Sequence, residues 1–375
     1  MTEKLNEIDI DVKEKTPEMT PYAGALPFMR MCEGMGLQDI INQYLNVRDS
    51  RGYKDSDHIL SLVTMQILGG STIEDLKMLK QNLETSASPF KVPSPSAARS
   101  FMSNFHDEDE ANKQKQGFSY IPQMNDHLAG FNAINAYIFQ KAYSFNPLKS
   151  ITLDQDATFI PTSNKNALYN YKKEKAYEAF ITYCPEYDII VGTQLRGGNV
   201  SPAEDQFGEL KRTLDTSPEG VVEVTLRSDS AGYQEDIMRY CAEGKNERFG
   251  VINFTISCKV GAGFKKAAKE VPEADWKPVM KEVKNNGVAK LKETGQEWAE
   301  VNYVPGWVVK SDAEYRFIAI RERTELRKGE NPAQMTLPEI IDDAEKENAR
   351  MKRLHLTPIR RLKLINPCKY SQCIC

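Results

Sequence analysis

ITLDQDATFI, residues 151–160, is the stretch on which the fold turns. Ile151, Leu153 and Gln155 fall on one side of an extended chain, and Thr152, Asp154 and Asp156 on the other, the period of a strand. Further on, YEAFITYCPEY and IIVGTQLRGG read as two more strands, antiparallel neighbours joined through Pro185-Glu186. SPAEDQFGELKRTLDT is an amphipathic helix with Phe207 and Leu210 on its apolar side. VVEVTLRSDS is a strand running into a loop, GYQEDIMRYCAEG a helix and FGVINFTISCKV a strand. Strand, strand, strand, helix, strand, helix, strand is the order of a mixed α/β sheet. It predicts one core domain over 146–260.

Outward from this core the pattern changes on both sides. From Ala23 to about Tyr143 the apolar spacing is helical. Leu26, Met29, Met31, Leu37, Ile40, Ile41 and Leu45 recur at helical intervals. DSDHILSLVTMQILGG opens on capping-type Asp55 or Ser56 and stops at Gly69-Gly70. STIEDLKMLKQN restarts with Ser71 and Thr72 as cap candidates. PSPSAARSFMSNF and NDHLAGFNAINAYIFQKAY open further helices, so 23–145 is predicted all-helical. Residues 1–22 are polar, lack an apolar period and read as a flexible arm. Residues 261–330 turn β-rich after a short helix near Phe264–Val271, and read as an insertion outside the core sheet. Residues 331–375 comprise a charged helix and a basic, cysteine-dense tail.

The 40% hydrophobic fraction of the 375 residues is that of a globular chain. No run approaches the apolar length of a membrane span. The charged start, MTEKLNEIDIDVKEK, has no signal-peptide core, so a cytoplasmic location is expected. A net charge of −4 gives no global attraction to nucleic acid, so DNA contact must rest on local basic patches. Cys32, Cys184, Cys241 and Cys258 are scattered, as reduced, partly buried thiols are. Cys368, Cys373 and Cys375 fit no zinc spacing. His58, His106, His127 and His355 form no triad or ligand pair.

The residues with chemical potential are few. Asp156 closes a strand-like alternation, with Asp154 on the same face, and Asp229 follows the strand VVEVTL. Carboxylates at strand ends of an α/β sheet can share a divalent cation, and Mg²⁺ needs only one or two of them beside water and phosphate. Asp at a strand end equally serves as turn former or helix cap. On the residues alone both uses stand. Arg196-Gly-Gly-Asn199 is a glycine-rich turn. Tyr169, Tyr171, Lys172, Lys173 and Lys175 interleave aromatics with cations, which suits a nucleic-acid backbone and equally a solvated loop.

Taken together, LDQDAT (153–158), LRGGNV (195–200) and LRSDSAGY (226–233) resemble the core motifs of bacterial insertion-sequence transposases of the DDE type. RGY (51–53), DHILSLVTMQILGGSTIEDLKML and the Pro95–Asp107 segment are similar to the helical N-terminal region of the same group. The resemblance spans roughly 23–327. It implies an RNase H-like fold and Mg²⁺-dependent (or Mn²⁺-dependent) cleavage and joining of DNA at terminal inverted repeats, with a homodimer on DNA as a possible arrangement. It assigns Asp156 as the first catalytic acid, with Asp154 also qualifying, and Asp229 as the second. Asp154, Asp156 and Asp229 are the implied metal ligands. Arg227, Lys172, Lys173, Lys175, Arg196 and Asn199 are the candidate DNA contacts, in addition to a DNA-binding helical region at 23–145.

Such enzymes carry a third acid, a glutamate in a Tyr-x2-Arg-x3-Glu-x6-Lys pattern. Glu345 and Lys352 have the last spacing, but Ile341 and Pro338 stand where Arg and Tyr belong. Glu339, Glu345 and Glu347 read as the solvated face of a helix. The tail from Pro358 looks frameshifted or prematurely ended. The sequence therefore leaves two expectations open: an active transposase, or a truncated relative that only binds DNA. A third, an unrelated Mg²⁺-dependent phosphohydrolase, leaves the helical motifs unexplained.

Overall fold

The computed structural model describes residues 21–47, 52–83, 88–114, 118–258, 260–285, 288–306, 315–322 and 363–366. The chain divides into two compact units, Met1–Val221 and Val222–Cys375. That boundary falls inside the span 146–260 read from the sequence as one core.

The first unit opens with helices α1 (Leu26–Gly34), α2 (Leu37–Leu45), α3 (Asp55–Ile67), α4 (Leu76–Leu83), α5 (Pro95–Met102), α6 (Glu108–Gln114) and α7 (Asp126–Phe145). The continuous apolar period over 26–45 is cut at Gly36, whose φ of 70° is the left-handed region open to glycine. The N-cap of α3 is Lys54, one residue ahead of the first capping candidate. The Lys54 N–H donates to Asp57 Oδ2 at 2.9 Å, and Asp55 is buried, accepting instead from the Val47 N–H at 2.8 Å. In the next segment one acid does the capping. Asp75 Oδ2 accepts from the N–H groups of Ser71 and Thr72. Ser94 caps α5 and Asn125 caps α7 through their side-chain oxygens. Met29, Ile41, Leu45, Leu76, Leu83, Val92 and Phe101 fill one apolar core among these helices. Helix α6 is absent from the sequence expectation because EDEANKQ carries only one apolar residue, so no stripe announces it.

The same unit then forms its sheet. Strands β1 (Ser150–Pro161), β2 (Leu168–Tyr169), β3 (Lys175–Cys184) and β4 (Ile189–Gly197) are followed by α8 (Gln206–Thr216). β3 pairs antiparallel with β1, β2 and β4, with Asp156 opposite Ile181 and Ile181 opposite Thr193. The predicted Pro185-Glu186 connection is the turn between β3 and β4. α8 packs on β4 and β3. It presents Leu210 and Leu214 together with the polar Gln206, Glu209 and Thr213, all buried. Phe207 is only half-buried and lies under the Lys211 ammonium at 4.4 Å.

In the second unit β5 (Glu223–Ser228) leads through α9 (Glu235–Ala242) to β6 (Asn253–Cys258). The two strands are parallel, Thr225 beside Asn253 and Ser228 beside Ile256, as a helical crossover requires. α10 (Ala262–Lys269) and the strands β7 (Lys277–Asn285), β8 (Val288–Val301) and β9 (Phe317–Glu322) follow. Phe264, Val301, Phe317 and Ala319 make a second core with Cys258. β10 (Lys363–Asn366) lies between β6 and β9, antiparallel to both. β10 carries the hydrogen-bond ladder from β6 on to β9, β8 and β7. It also gives part of the basic tail a strand's place. Cys32, Cys184, Cys241 and Cys258 are buried free thiols. No helix among the described residues is long and apolar enough to cross a membrane.

Candidate active site

Strand β1 settles the orientation of its acids by alternation. Ile151, Leu153 and Gln155 are buried at 1%, 0% and 1% exposure, whereas Asp154 is half-buried and Asp156 exposed. Both aspartates therefore lie on the sheet face opposite α8, because Gln155 Oε1 accepts from Gln206 Nε2 of that helix at 3.4 Å. Asp156 Oδ1 also accepts its neighbour's N–H, from Ala157, at 2.9 Å.

Asp229 stands immediately after β5. It caps the short 3-10 turn Ser230–Gly232, with Oδ1 accepting from the Ala231 N–H at 2.8 Å. The cap reading weighed for a strand-end Asp is thus realised, and a carboxylate so held keeps acceptor capacity on its other lone pairs. Arg227 and Ser230 on either side are exposed. Among the described residues, no three His, Cys, Asp or Glu side chains gather into a cluster. Any cation here would be held by sparse hard carboxylate oxygens plus water and phosphate, a donor set that suits Mg²⁺ and not a soft metal. Glu339, Glu345, Glu347 and Lys352, considered for the third acid, lie outside the described residues.

The expected DNA contacts separate. Lys172, Lys173 and Lys175 share one tight hairpin with Tyr169 and Tyr171, between β2 and β3. Arg196 is elsewhere and is corrected as a DNA contact, because it is 1% exposed. Its guanidinium stacks 4.3 Å from the Phe180 ring. Its Nε donates to Gln194 Oε1 at 2.6 Å and its Nη1 to Glu178 Oε1 at 3.4 Å. Burial pushes the Glu178 carboxyl above its ordinary range, with the Arg196 charge working against the rise. Asn199 is half-buried, and its Nδ2 donates to the Phe118 carbonyl at 2.9 Å, tying a loop down.

The double glycine beside Arg196 has a packing cause. A Cβ on Gly198 would meet the Ala176 carbonyl oxygen at 2.3 Å and that of Leu168 at 2.8 Å. Backbone cannot yield as a side chain can, so Gly198→Ala is expected to destabilise the chain by about 1–3 kcal/mol, the usual cost of overpacking. Equilibrium unfolding in urea measures this, and an unchanged midpoint would refute the close approach.

What the sequence reading missed is the polar layer beneath the acids. Gln155 Nε2 donates to Thr182 Oγ1 at 3.3 Å, and Gln206 reaches the same glutamine. The signal was present: Gln155 interrupts an otherwise aliphatic strand face, and a glutamine there needs buried partners.

Three antiparallel strands, a helix, and then a parallel strand–helix–strand, with acids at the strands, define an RNase H-like α/β protein. The sequence profile of the family described as transposase DDE domain group 1 matches residues 3–330, and the chain belongs to that family. No curated protein matches it.

Proposed function

We propose that this transposase-family chain acts on the terminal inverted repeats of an insertion sequence, with Asp156 and Asp229 as carboxylate ligands of a Mg²⁺ or Mn²⁺ ion and Asp154 beside them. The observation that carries the reading is the disposition of acids on β1. Asp154 and Asp156 share the face left uncovered by α8, while the hydrogen-bonding Gln155 between them is buried. Asp229, fixed by its own cap at the end of β5, supplies an oriented carboxylate from a second strand. Family membership supports DNA transposition as the reaction, with a divalent metal serving it. A bound cation would lower the pKa of an attacking water and stabilise the leaving oxygen of a phosphodiester. The protein's part is to hold carboxylates in place and to seat the DNA backbone. Arg227 is proposed for that seating, with the lysine hairpin, and the helical region 23–145 as the main binding surface, acting as a homodimer on DNA.

A second reading, a chain that binds DNA without cutting it, is favoured by one observation. Residues 1–375 contain no satisfactory match to the third-acid pattern.

Two measurements test the proposal. Isothermal calorimetry with Mn²⁺ should show Asp229→Asn binding more weakly than wild type by more than the roughly 10–100-fold that outer-shell changes cost. Equal affinity would remove Asp229 from the site. Binding to an insertion-sequence end should weaken with salt at a log–log slope of about −0.9 per phosphate neutralised. Salt-independent binding would argue against backbone contact.

A further inference from the structure

The hairpin between β2 and β3 presents two tyrosines at its surface. Tyr169 is 62% and Tyr171 is 73% exposed. Neither is a loose loop-tip side chain. Tyr171 packs edge-on against Phe159 of β1, ring centroids 5.4 Å apart. The Lys172 ammonium lies 5.7 Å from the Tyr171 ring and that of Lys175 lies 5.8 Å from the Tyr169 ring.

The backbone beneath is over-determined. Asn170, 5% exposed, accepts at Oδ1 from the N–H groups of Lys172 and Glu174, at 2.9 and 3.0 Å. Its N–H donates to the Glu174 carbonyl and its carbonyl accepts from the Lys173 N–H, both at 2.9 Å. Lys173 is thereby held at a φ of 64°, a left-handed conformation unfavourable to a residue with a Cβ. Lys175 Nζ donates to the Lys165 carbonyl at 3.0 Å, closing the hairpin against the preceding loop. A strained turn this firmly pinned, displaying two aromatic faces at its surface, belongs to the kind of feature retained for contact with a partner.

We infer that this hairpin is a stacking platform for unpaired nucleobases, with Tyr169 and Tyr171 taking bases and Lys172 and Lys173 taking the adjoining phosphates. The proposal deepens the DNA reading above and rests on it. Four lysines at 165, 172, 173 and 175 against one acid, Glu174, give the local positive charge a polyanion needs, although the whole chain is net negative. Exposed aromatic faces beside ammonium groups match single-stranded DNA, in which every base offers a π-face and every step a phosphate. A paired duplex keeps its bases stacked on one another and would meet only the lysines.

The test uses the full chain and fluorescence anisotropy with an oligonucleotide of about 16 nucleotides, a length within the footprint of known stacking sites. The oligonucleotide is presented single-stranded and as a duplex. Tyr169→Ala with Tyr171→Ala is expected to lower single-strand affinity at least about tenfold, within the range for loss of a base–aromatic stack, and to leave duplex affinity within about twofold. Tyr169→Phe with Tyr171→Phe should retain single-strand binding, which shows that ring faces and not hydroxyls are used. Lys172→Gln with Lys173→Gln should weaken both DNA forms and flatten the salt dependence. Fluorescence of 2-aminopurine placed in the single strand should be quenched by wild type and by the Phe variant, not by the Ala variant. Unchanged single-strand binding in the Ala variant, an equal fall on both DNA forms, or equal competition by poly-glutamate against wild type and Ala variant overturns stacking while leaving duplex recognition standing. Binding of wild type to neither DNA form overturns the DNA reading as well.

Discussion

Replacing Glu178 by alanine should destabilise the chain by about 3–5 kcal/mol, the cost of leaving a buried charge without its partner. Glu178 and Arg196 face each other across β3 and β4 with their side chains fully buried. Arg196 Nη2 and Glu178 Oε2 are buried without hydrogen-bond partners among the described residues. The network is thus incompletely satisfied even with both residues present, which is the condition under which desolvation competes with attraction. A Glu178→Met, Arg196→Met double variant should therefore recover most of the loss and could approach wild type. Glu178→Gln should fall between, because its amide oxygen can still accept from the guanidinium. The sign of the pH dependence follows from the raised carboxyl. A group whose folded pKa lies above its unfolded value gives stability that is complete below the unfolded pKa and fades as pH rises through the folded one. The Gln variant should lack that fading. Far-UV circular dichroism in a urea titration is the right probe, since the tryptophans at 276, 298 and 307 all belong to the second unit. A single Ala variant with an unchanged midpoint would show that the pair carries no net stability.

The same pair shows where sequence could and could not reveal function. Asp154 and Asp156 were legible, because strand alternation assigns faces without any tertiary knowledge and the structure keeps that assignment. The hairpin lysines were legible as a cluster for the same local reason. Arg196 was not. Its neighbours Gly197, Gly198 and Asn199 mark a turn, where cations are ordinarily exposed, and only the pairing of Glu178 opposite Arg196 shows that the charge is internal. Nothing local specifies that pairing. Helix α6 and β10 escaped for a different cause. EDEANKQ has no apolar stripe, and LKLIN in the tail is too short for a period to emerge from basic flanks. Asn170 likewise looks like any turn asparagine until its two accepted N–H bonds are seen to pin Tyr169 and Tyr171.

The largest functional effect expected concerns catalysis by the 375-residue chain itself. With Mn²⁺ and a matching transposon end, it should bind DNA and yet cut far more slowly than a complete three-acid enzyme, by on the order of 10³-fold. That factor corresponds to several kcal/mol of charge stabilisation lost at the transition state. Transfer at a phosphodiester by two metals needs carboxylates enough to hold both ions in line with the attacking and leaving oxygens. In the proposed reading, Asp156 and Asp229 would seat one. Asp154 shares the face of Asp156 on the same strand, so it can reinforce that ion but does not approach from a different element. A second ion calls for a ligand on a separate element, and the glutamates best placed in sequence, Glu339, Glu345 and Glu347, lack the Arg and Tyr of the expected pattern. A gel-based cleavage assay on a labelled end decides between the alternatives. DNA bound but uncut by both wild type and Asp156→Ala supports the binding-only reading. Specific nicking that disappears in Asp156→Ala and in Asp229→Ala overturns it, and the next substitutions, Glu339→Gln, Glu345→Gln and Glu347→Gln, would then identify the glutamate that completes the site.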